Sequence, residues 1–542
     1  MAISALGFRG VGVREQPVLE HLQILNFHSN CLQSGGPKMD EARFIFGNFP
    51  SLGEDDFSLK KYDVAMRQYA SSASKLSKEA RAAVIADPTS FFQVTSLAIG
   101  VDLSLTAQQM LESGANSIGF LVFLDVLYSE NAELPAHVLD MTVAFLRGFD
   151  PRQVTYAGTL FSSLLERVGS GRIFPPLMAV EILVGAMLRL DPTASIFTTT
   201  HLTLAKLVHA TDIVRPALPI LDADILFYPP LSTSRDPKQL LCDPDLPPAS
   251  SISINAGIVD QVKSTTVQEY NLARGHIYIS RREWHKAFAA LEQVISHPFK
   301  NKCISKMMTE AHKKWLLVGL LHQGKAPAYP QHLSATAMGS FTTTSEPYNS
   351  LSTLFSTKRV ASLKNKVEQN KMTWEEDGNA SLVAEVMTAY SKWQIVNLRH
   401  IYKRVSLSEI QRMTLDAETG EPLADVQTTE DLVRSVIESG LLQGEIETGK
   451  DGQESYLAFD DSLDSMTEDE FARQVAHCLR HLETLNGHLA IASERLNGNR
   501  DYVRHLVREQ KRAEVEKEAD AAVGFETQIE DEDLMTGVMA HS

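Results

Sequence analysis

One stretch of the sequence comes close to a phosphate-binding loop. The residues Gly319-Leu-Leu-His-Gln-Gly-Lys325 follow most of the pattern in which backbone N–H groups and a lysine hold nucleotide phosphates. Ala326 stands where that loop carries the serine or threonine that binds magnesium, and the residues before Gly319 have the periodicity of a helix. We therefore interpret the segment as a helix that ends on a glycine cap.

A second set of candidate ligands lies near the C-terminus. His477 and His481 are four residues apart, with Cys478 beside them, and imidazoles at this spacing can share a metal ion. No glutamate follows His477 as in the HExxH motif, and both histidines lie off the apolar seam that contains Cys478. The sequence also contains no His-x-His pair. We predict no metal site, no cofactor and no catalytic residue, and we do not expect an enzyme.

Composition narrows the possible partners. The 542 residues contain 68 acidic and 51 basic side chains, and the formal net charge of −17 opposes binding to nucleic acid or anionic membranes.

The most apolar run, Ile118 to Tyr128, is shorter than the ~20 residues that a membrane helix needs. Four scattered cysteines favour a reducing, intracellular compartment. A chain of this length should contain several cores or an array of repeats.

The first half of the chain is predicted to consist of helical repeats. Residues 51–228 have apolar side chains at three- and four-residue spacing with short polar breaks, which is typical of stacked amphipathic helices. Examples are Ala136–Leu146 and Leu177–Leu188, the second apolar on nearly all sides. Residues 1–50 lack the apolar core of a signal peptide, and we predict a disordered N-terminal extension.

A Pro/Ser-rich segment at 229–253 is predicted to be a linker, because its composition favours turns over packed structure. Helical repeats should resume over residues 254–390, interrupted by a second irregular segment at 325–349. There, the pattern of small and large side chains from Tyr270 to Leu291 matches a tetratricopeptide repeat. Its packing positions are Gly275, Tyr278, Ala287 and Leu291.

Residues 391–462 are predicted to form a winged helix. After a first helix at 391–402, Ser406 and Glu409 form a capping box that begins a second helix, and Thr429 is predicted to cap a third. Two short strands within residues 444–459 then flank a Gly-Lys-Asp-Gly turn, which indicates a hairpin. We predict that its edge near Tyr456 to Phe459 pairs with another chain.

The charge of this winged helix opposes DNA binding. A helix that enters the major groove needs a basic surface. The predicted third helix and wing are instead acidic, with Glu430, Asp431, Glu438, Glu445, Glu447 and Glu454 against Arg434 and Lys450. A protein-binding winged helix is the better interpretation.

Residues 463–508 are predicted to form a C-terminal assembly helix, followed by an acidic, disordered tail at 509–542. The apolar side chains of this assembly helix recur at alternating spacings of four and three residues, which is the heptad pattern of a helix that packs on other helices. The seam comprises Phe471, Val475, Cys478, Leu482, Leu485, Leu489, Ala492 and Leu496. The residues that we predict to contact other proteins come from the hairpin and from this seam. They are Tyr456, Leu457 and Phe459 in the hairpin, and Phe471, Val475, Leu482, Leu485, Leu489 and Leu496 in the seam.

Three segments in the same order resemble the COP9 signalosome subunit 3 family of PCI-domain proteins, in particular its fungal members. They are Arg215–Asp224, the stretch from Gly275 to Pro298, and Glu310–Lys325. The sequence departs from the family at insertions around 232–250 and 416–428. The resemblance implies a mostly α fold: a TPR-like solenoid, a winged-helix PCI module with a small β hairpin, and a C-terminal bundle helix.

The resemblance also implies a function and partners. A member of this family would be a non-catalytic scaffold of the complex that removes NEDD8 from the cullins of ubiquitin ligases, in nucleus and cytoplasm. Its winged-helix edge and terminal helix would bind other subunits, and its link to cullin-RING ligases would be indirect. Two alternatives share the architecture: a proteasome-lid subunit and a nucleic-acid-binding PCI protein. An enzyme with a dispersed site is a third.

Overall fold

A computed structural model describes most of the chain between residues 45 and 511. The described residues are 45, 49–50, 56–86, 116–130, 136–229, 249, 252, 256–298, 304–331, 333–357, 359–417, 419–447, 454–459, 467–497 and 502–511. The chain divides into two compact units, one within residues 1–395 and 411–425, the other within 396–410 and 426–542. All of the predicted N-terminal extension except residues 45, 49 and 50, nearly all of the predicted linker and most of the acidic tail lie outside the described residues. Among the helices that are described, none is both long and apolar enough to cross a bilayer.

The first unit is built from helices, as the periodicity predicts. Its α helices are α1 (Asp56–Ser74), α2 (Lys78–Ala86), α3 (Ser117–Glu130), α4 (Ala136–Gly148), α5 (Pro151–Val154), α6 (Gly158–Gly169), α7 (Pro176–Leu190), α8 (Thr199–Thr211), α9 (Leu218–Leu221), α10 (Ser264–Ser280), α11 (Trp284–Ile295), α12 (Lys306–Gln323), α13 (Ala335–Thr344), α14 (Glu346–Phe355), α15 (Val360–Gln369) and α16 (Lys371–Glu376). Short 3-10 turns lie at Thr155–Ala157 and Arg215–Ala217. A continuous hydrophobic core runs through these helices from Met66 to Ala417.

The second unit begins within helix α17 (Ala380–Leu398). It continues with strand β1 (Arg404–Ser406), helices α18 (Leu407–Met413) and α19 (Val426–Glu438), strands β2 (Gly444–Glu447) and β3 (Tyr456–Phe459), and helix α20 (Glu468–Asn497). This order of helices and hairpin is that of a winged helix. The fold class predicted from the sequence is therefore confirmed.

The predicted tetratricopeptide-like pair is α10 and α11, and its four packing residues are all buried. A Cβ atom built on Gly275 would lie 2.8 Å from Leu291 Cδ2, so the two helices approach closely because this position has no side chain. The glycine is therefore selected by helix packing, which outweighs its poor helix propensity.

The same pair holds the Arg215–Asp224 segment. The Tyr278 hydroxyl donates to the Leu221 carbonyl oxygen (2.8 Å) and to Asp222 Oδ1 (2.7 Å), and Lys286 Nζ donates to Asp222 Oδ2 (2.8 Å). The first of the three segments that resemble the family is thus held against the repeat, and the two bonds to the Asp222 carboxylate are charge-assisted, which is the stronger kind.

Three local predictions differ from the structure. The third winged-helix helix begins at Val426, and Thr429 is buried inside it and is not the cap. Helix α13 occupies part of a segment, 325–349, that lacks helical signals; Ser334 begins it by accepting from the Ala337 N–H at 3.2 Å. Within the predicted linker, Ala249 and Ile252 are buried in the core.

The insertion near 416–428 forms its own small structure within the first unit. Leu415 and Pro422 form an antiparallel bridge, and the Asp416 carboxylate accepts from the Thr419 N–H and hydroxyl. Gln394 holds it by donating to the Leu415 carbonyl (3.0 Å) and accepting from the Leu415 N–H (3.1 Å). Residues 411–425, which comprise the end of α18 and the segment that connects it to α19, are therefore part of the helical unit.

Gly275→Ala should destabilise the protein, although alanine is the better helix former. We expect the new methyl group to cost about 1 to 3 kcal/mol by overpacking against Leu291, against a propensity gain of about 1 kcal/mol. Gly185→Ala is the matched control, because Gly185 also lies within a helix and its Cβ would meet open space; it should stabilise. Urea unfolding measures both. Equal effects of the two substitutions would contradict this account of Gly275.

Candidate interaction surfaces

The three strands form one antiparallel sheet in the order β1-β3-β2. Strand β3 pairs with β1 through Val405 and Leu457 and with β2 through Ile446 and Leu457. The sequence-based prediction that Tyr456 to Phe459 forms the free edge is therefore wrong. Strand β1 was not predicted from the sequence. It pairs with the edge of β3 that would be unpaired in a two-stranded hairpin.

Among the described strands the unpaired edges are those of β1 and β2, and the pairing shows which backbone groups point outward. The Phe459 N–H donates to the Lys403 carbonyl and the Leu407 N–H to that of Ser455, so alternate residues of β3 face β1. Tyr456 and Ala458 must then face β2. It follows that Gly444 and Ile446 direct their backbone N–H and C=O groups away from the sheet, as an added strand requires.

The two faces of the sheet differ in chemistry. Leu457 is fully buried and lies opposite Val405 and Ile446, so its side chain supports the sheet and cannot meet a partner. On the other face, the Arg404 guanidinium lies 4.6 Å from the centre of the Tyr456 ring and pairs with Glu447. Tyr456, on this second face, and Phe459, which shares the face of Leu457, are only partly buried. Of the three predicted hairpin residues, these two remain candidates for contact.

We expect Ile446→Pro to weaken any strand addition at β2, because proline removes an outward N–H while the bonds to β3 involve Glu445 and Glu447. Ile446→Ala is the control for the lost side chain. Co-purification of the full-length variants with partner subunits measures the effect: recovery should fall several-fold with proline and stay near wild type with alanine. Equal recovery of both would show that the β2 edge is not used.

The predicted seam lies on α20, and those of its side chains that the structure describes are exposed. Every side chain described between Thr467 and Leu496 is exposed, and Thr467 caps the helix by accepting from the Glu470 N–H at 3.3 Å. Phe471 is 58% and Leu489 68% exposed, and the intermediate leucines are similar. Exposed members of the predicted set are Phe471, Val475, Leu482, Leu485, Leu489 and Leu496. Because burying one such side chain is worth roughly 1.5 to 3 kcal/mol, this face favours a partner.

The sequence reading missed part of this apolar surface. Leu479, 55% exposed, lies beside the seam, and residues 502–511 form a further helical segment. In that segment Val503 and Leu506 are exposed and continue the spacing of seven from Leu496 and Cys478. The predicted assembly helix, 463–508, already contains Val503 and Leu506, although the predicted seam ends at Leu496.

The surface of α19 is acidic, as predicted. Asp431 and Glu438 are exposed, and the one arginine of the helix, Arg434, is paired with Glu430 at 2.8 Å. The positive charge of Arg434 is therefore offset by the carboxylate of Glu430. This face lacks the clustered basic side chains that a DNA-reading helix uses.

The phosphate-loop-like segment is the end of a helix, as we interpreted it. Helix α12 extends to Gln323, and Gly324 adopts φ +68° and donates its N–H to the Leu320 carbonyl. Gly319 lies in the helix interior, where an added Cβ would meet the Pro327 ring at 2.6 Å. Both glycines therefore have structural reasons to be there, and the backbone N–H groups of Gly319 and its neighbours are committed to the helix.

His477, Cys478 and His481 are exposed side by side on α20. Within the part of the chain that the structure describes, no three His, Cys, Asp or Glu side chains are grouped so that they could hold a metal ion. The exposed residues on α20 are thus best considered as part of the interaction surface.

Comparisons with known proteins agree on one family. The model of COP9 signalosome complex subunit 3, N-terminal helical repeats, matches residues 99–242 and 250–337. The protein named COP9 signalosome complex subunit 3 of Neurospora crassa is 36% identical over 439 residues, which cover 78% of this chain and 88% of the relative. The protein of the same name from Emericella nidulans is 29% identical over 283 residues, covering 52% of this chain and 57% of the relative.

Proposed function

The chain belongs to the COP9 signalosome subunit 3 family, and from this membership we propose that it is a non-catalytic structural subunit of a COP9 signalosome. In this role it supports removal of NEDD8 from cullins and so regulates ubiquitin-dependent degradation, while another subunit carries the isopeptidase. It acts in nucleus and cytoplasm. The observation that carries the proposal is the 36% identity to the Neurospora crassa protein named COP9 signalosome complex subunit 3, over 88% of that relative's length.

The surfaces of the second unit support a scaffold role. An apolar seam exposed over several helical turns is stable only when other helices cover it, and the outward backbone groups of β2 suit addition of a strand. The partners are other signalosome subunits, through the winged-helix edge and the terminal helix. Contact with cullin-RING ligases is indirect.

Affinity purification of the tagged full-length chain tests the assignment. We expect mass spectrometry to recover signalosome subunits, including a NEDD8 isopeptidase. Recovery of proteasome ATPases in their place would support the lid alternative and contradict the proposal. The purified chain alone should not cleave a neddylated cullin, and should not bind RNA or DNA in a salt-dependent manner; activity or binding would contradict the scaffold role.

A further inference from the structure

A small cavity lies within the helical repeats beside the start of helix α8. Its walls come from helices α6 and α7, from the turn between α7 and α8, and from Ile252 and Ile258 at and after the end of the predicted linker. Every residue that lines it is buried. The space open to the centre of a water-sized sphere is about 20 Å³. Because roughly 10 to 15 Å³ is enough for one water molecule, the cavity has room for a ligand of that size and for little more.

His201, in the first turn of α8, lines this cavity. Its Nδ1 atom accepts from the Thr198 backbone N–H at 3.1 Å and lies 2.9 Å from the Thr198 hydroxyl. A neutral imidazole that accepts at Nδ1 carries its hydrogen on Nε2. His201 is 3% exposed, and no described group forms a hydrogen bond with Nε2. A buried N–H group without a partner costs free energy, so this donor requires an acceptor.

Two hydrogen-bond acceptors lie near the same ring. Burial lowers the pKa of His201 to about 4, while the Asp191 carboxylate and the Ala194 carbonyl oxygen act in the opposite direction because both are close to the imidazole. Asp191 and Ala194 also line the cavity. The Asp191 carboxylate accepts from the Thr193 N–H and hydroxyl and from the Ile196 N–H. Since a carboxylate can accept about four hydrogen bonds, it has the capacity for one more.

Water is the ligand that fits these groups. An anion would be repelled by the Asp191 carboxylate, and the repulsion is strong where water is largely excluded. A metal ion needs lone pairs, whereas His201 Nε2 carries a hydrogen and Nδ1 is engaged by Thr198. No three ligating side chains are grouped for a metal among the described residues. A water molecule both accepts and donates, so it can bridge an N–H group and a carboxylate that are near each other without a direct bond.

We propose that this cavity binds one ordered water molecule, which accepts from His201 Nε2–H and donates to the Asp191 carboxylate and the Ala194 carbonyl oxygen. The water is a fixed part of the repeat, because it joins the turn that follows α7 to the first turn of α8. Ile252 forms part of the same wall, so the end of the predicted linker packs beside the water. The site does not depend on the proposed function, since it lies wholly within the first unit.

A crystal structure of the full-length chain, at a resolution that shows ordered water, tests the site. We expect one peak of solvent density about 2.7 to 3.2 Å from His201 Nε2 and within hydrogen-bond distance of an Asp191 oxygen. A second crystal pressurised with xenon should show no xenon there, because xenon enters dry apolar cavities. Absence of the water peak, a xenon peak in its place, or a protein group hydrogen-bonded to Nε2 would overturn the proposal.

His201→Phe removes the donor and keeps an aromatic ring at this position. We expect the water peak to disappear in this variant and xenon to enter the cavity. Ile258→Val is the matched control, because it shortens a side chain of the apolar wall and leaves the polar groups in place; it should retain the water peak. Circular dichroism checks that both variants fold. A water peak of undiminished occupancy in His201→Phe would contradict the role of Nε2, and the wild-type crystals decide the question even if this variant does not fold.

Discussion

Replacing Leu482 or Leu489 with aspartate should release the chain from its assembly while the helical repeats stay folded. These leucines are 54% and 68% exposed in the isolated chain, so a buried carboxylate arises only in the complex. Each substitution loses roughly 1.5 to 3 kcal/mol of apolar burial and adds the cost of desolvating a charge. We expect a loss of about 3 kcal/mol or more, which is over a hundredfold in affinity.

Co-purification of partner subunits with the tagged variants measures this loss, and urea unfolding of the isolated chain checks its fold. Ala476→Asp is the matched control, because Ala476 is exposed on the far side of α20 from the seam and its substitution should leave recovery unchanged. Undiminished recovery with both Leu482→Asp and Leu489→Asp would show that the seam is not an assembly surface.

The repeats themselves should lose stability in mild acid. Burial lowers the pKa of His312 from 6.5 to about 3 and that of His201 to about 4. Below pH 6.5 the unfolded chain binds protons at these imidazoles while the folded chain does not, so stability falls as the pH decreases toward the folded pKa values. At pH 5 each histidine should cost about 2 kcal/mol relative to neutral pH.

The surroundings of His312 explain why its neutral form is preferred. Its Nδ1 atom lies 3.1 Å from Ser345 Oγ and its Nε2 atom 2.9 Å from the Tyr329 hydroxyl, while the ring stacks on Phe341 with centroids 4.3 Å apart. Neutral hydroxyls satisfy both nitrogens, and among the described residues no carboxylate forms a hydrogen bond with the ring that could stabilise an imidazolium. Protonation would therefore leave a buried charge without compensation.

Urea unfolding at pH 7.5 and pH 5.0 measures the expected loss of about 4 kcal/mol from the two histidines together. His312→Gln should reduce the pH-dependent part by about half, whatever its effect on stability at neutral pH. His201→Gln should likewise reduce it by about half, because burial lowers the pKa of His201 as well. A free energy of unfolding that does not vary between these pH values would contradict the role assigned to the buried histidines.

Much of the fold followed from local patterns. The helices, the glycine close approach at Gly275, the hairpin strands and the exposed seam all correspond to periodicity or spacing that can be read without a structure. Helix α13 was missed because its sequence, Ala-Thr-Ala-Met-Gly-Ser-Phe-Thr-Thr-Thr, is poor in strong helix formers. Packing of Ala337 and Phe341 into the core stabilises it instead.

The candidate surfaces likewise have some features that the sequence predicts and others that only the structure shows. By itself the sequence determined the seam, since it is a spacing within one helix, and the acidic character of the winged helix, since charges are counted without coordinates. Only the tertiary structure decided that β3 is the central strand, that β2 exposes Gly444 and Ile446, and that His312 is fully buried. Each of these depends on contacts between segments distant in the chain, and three-residue strands such as β1 are too short to produce a periodic signal.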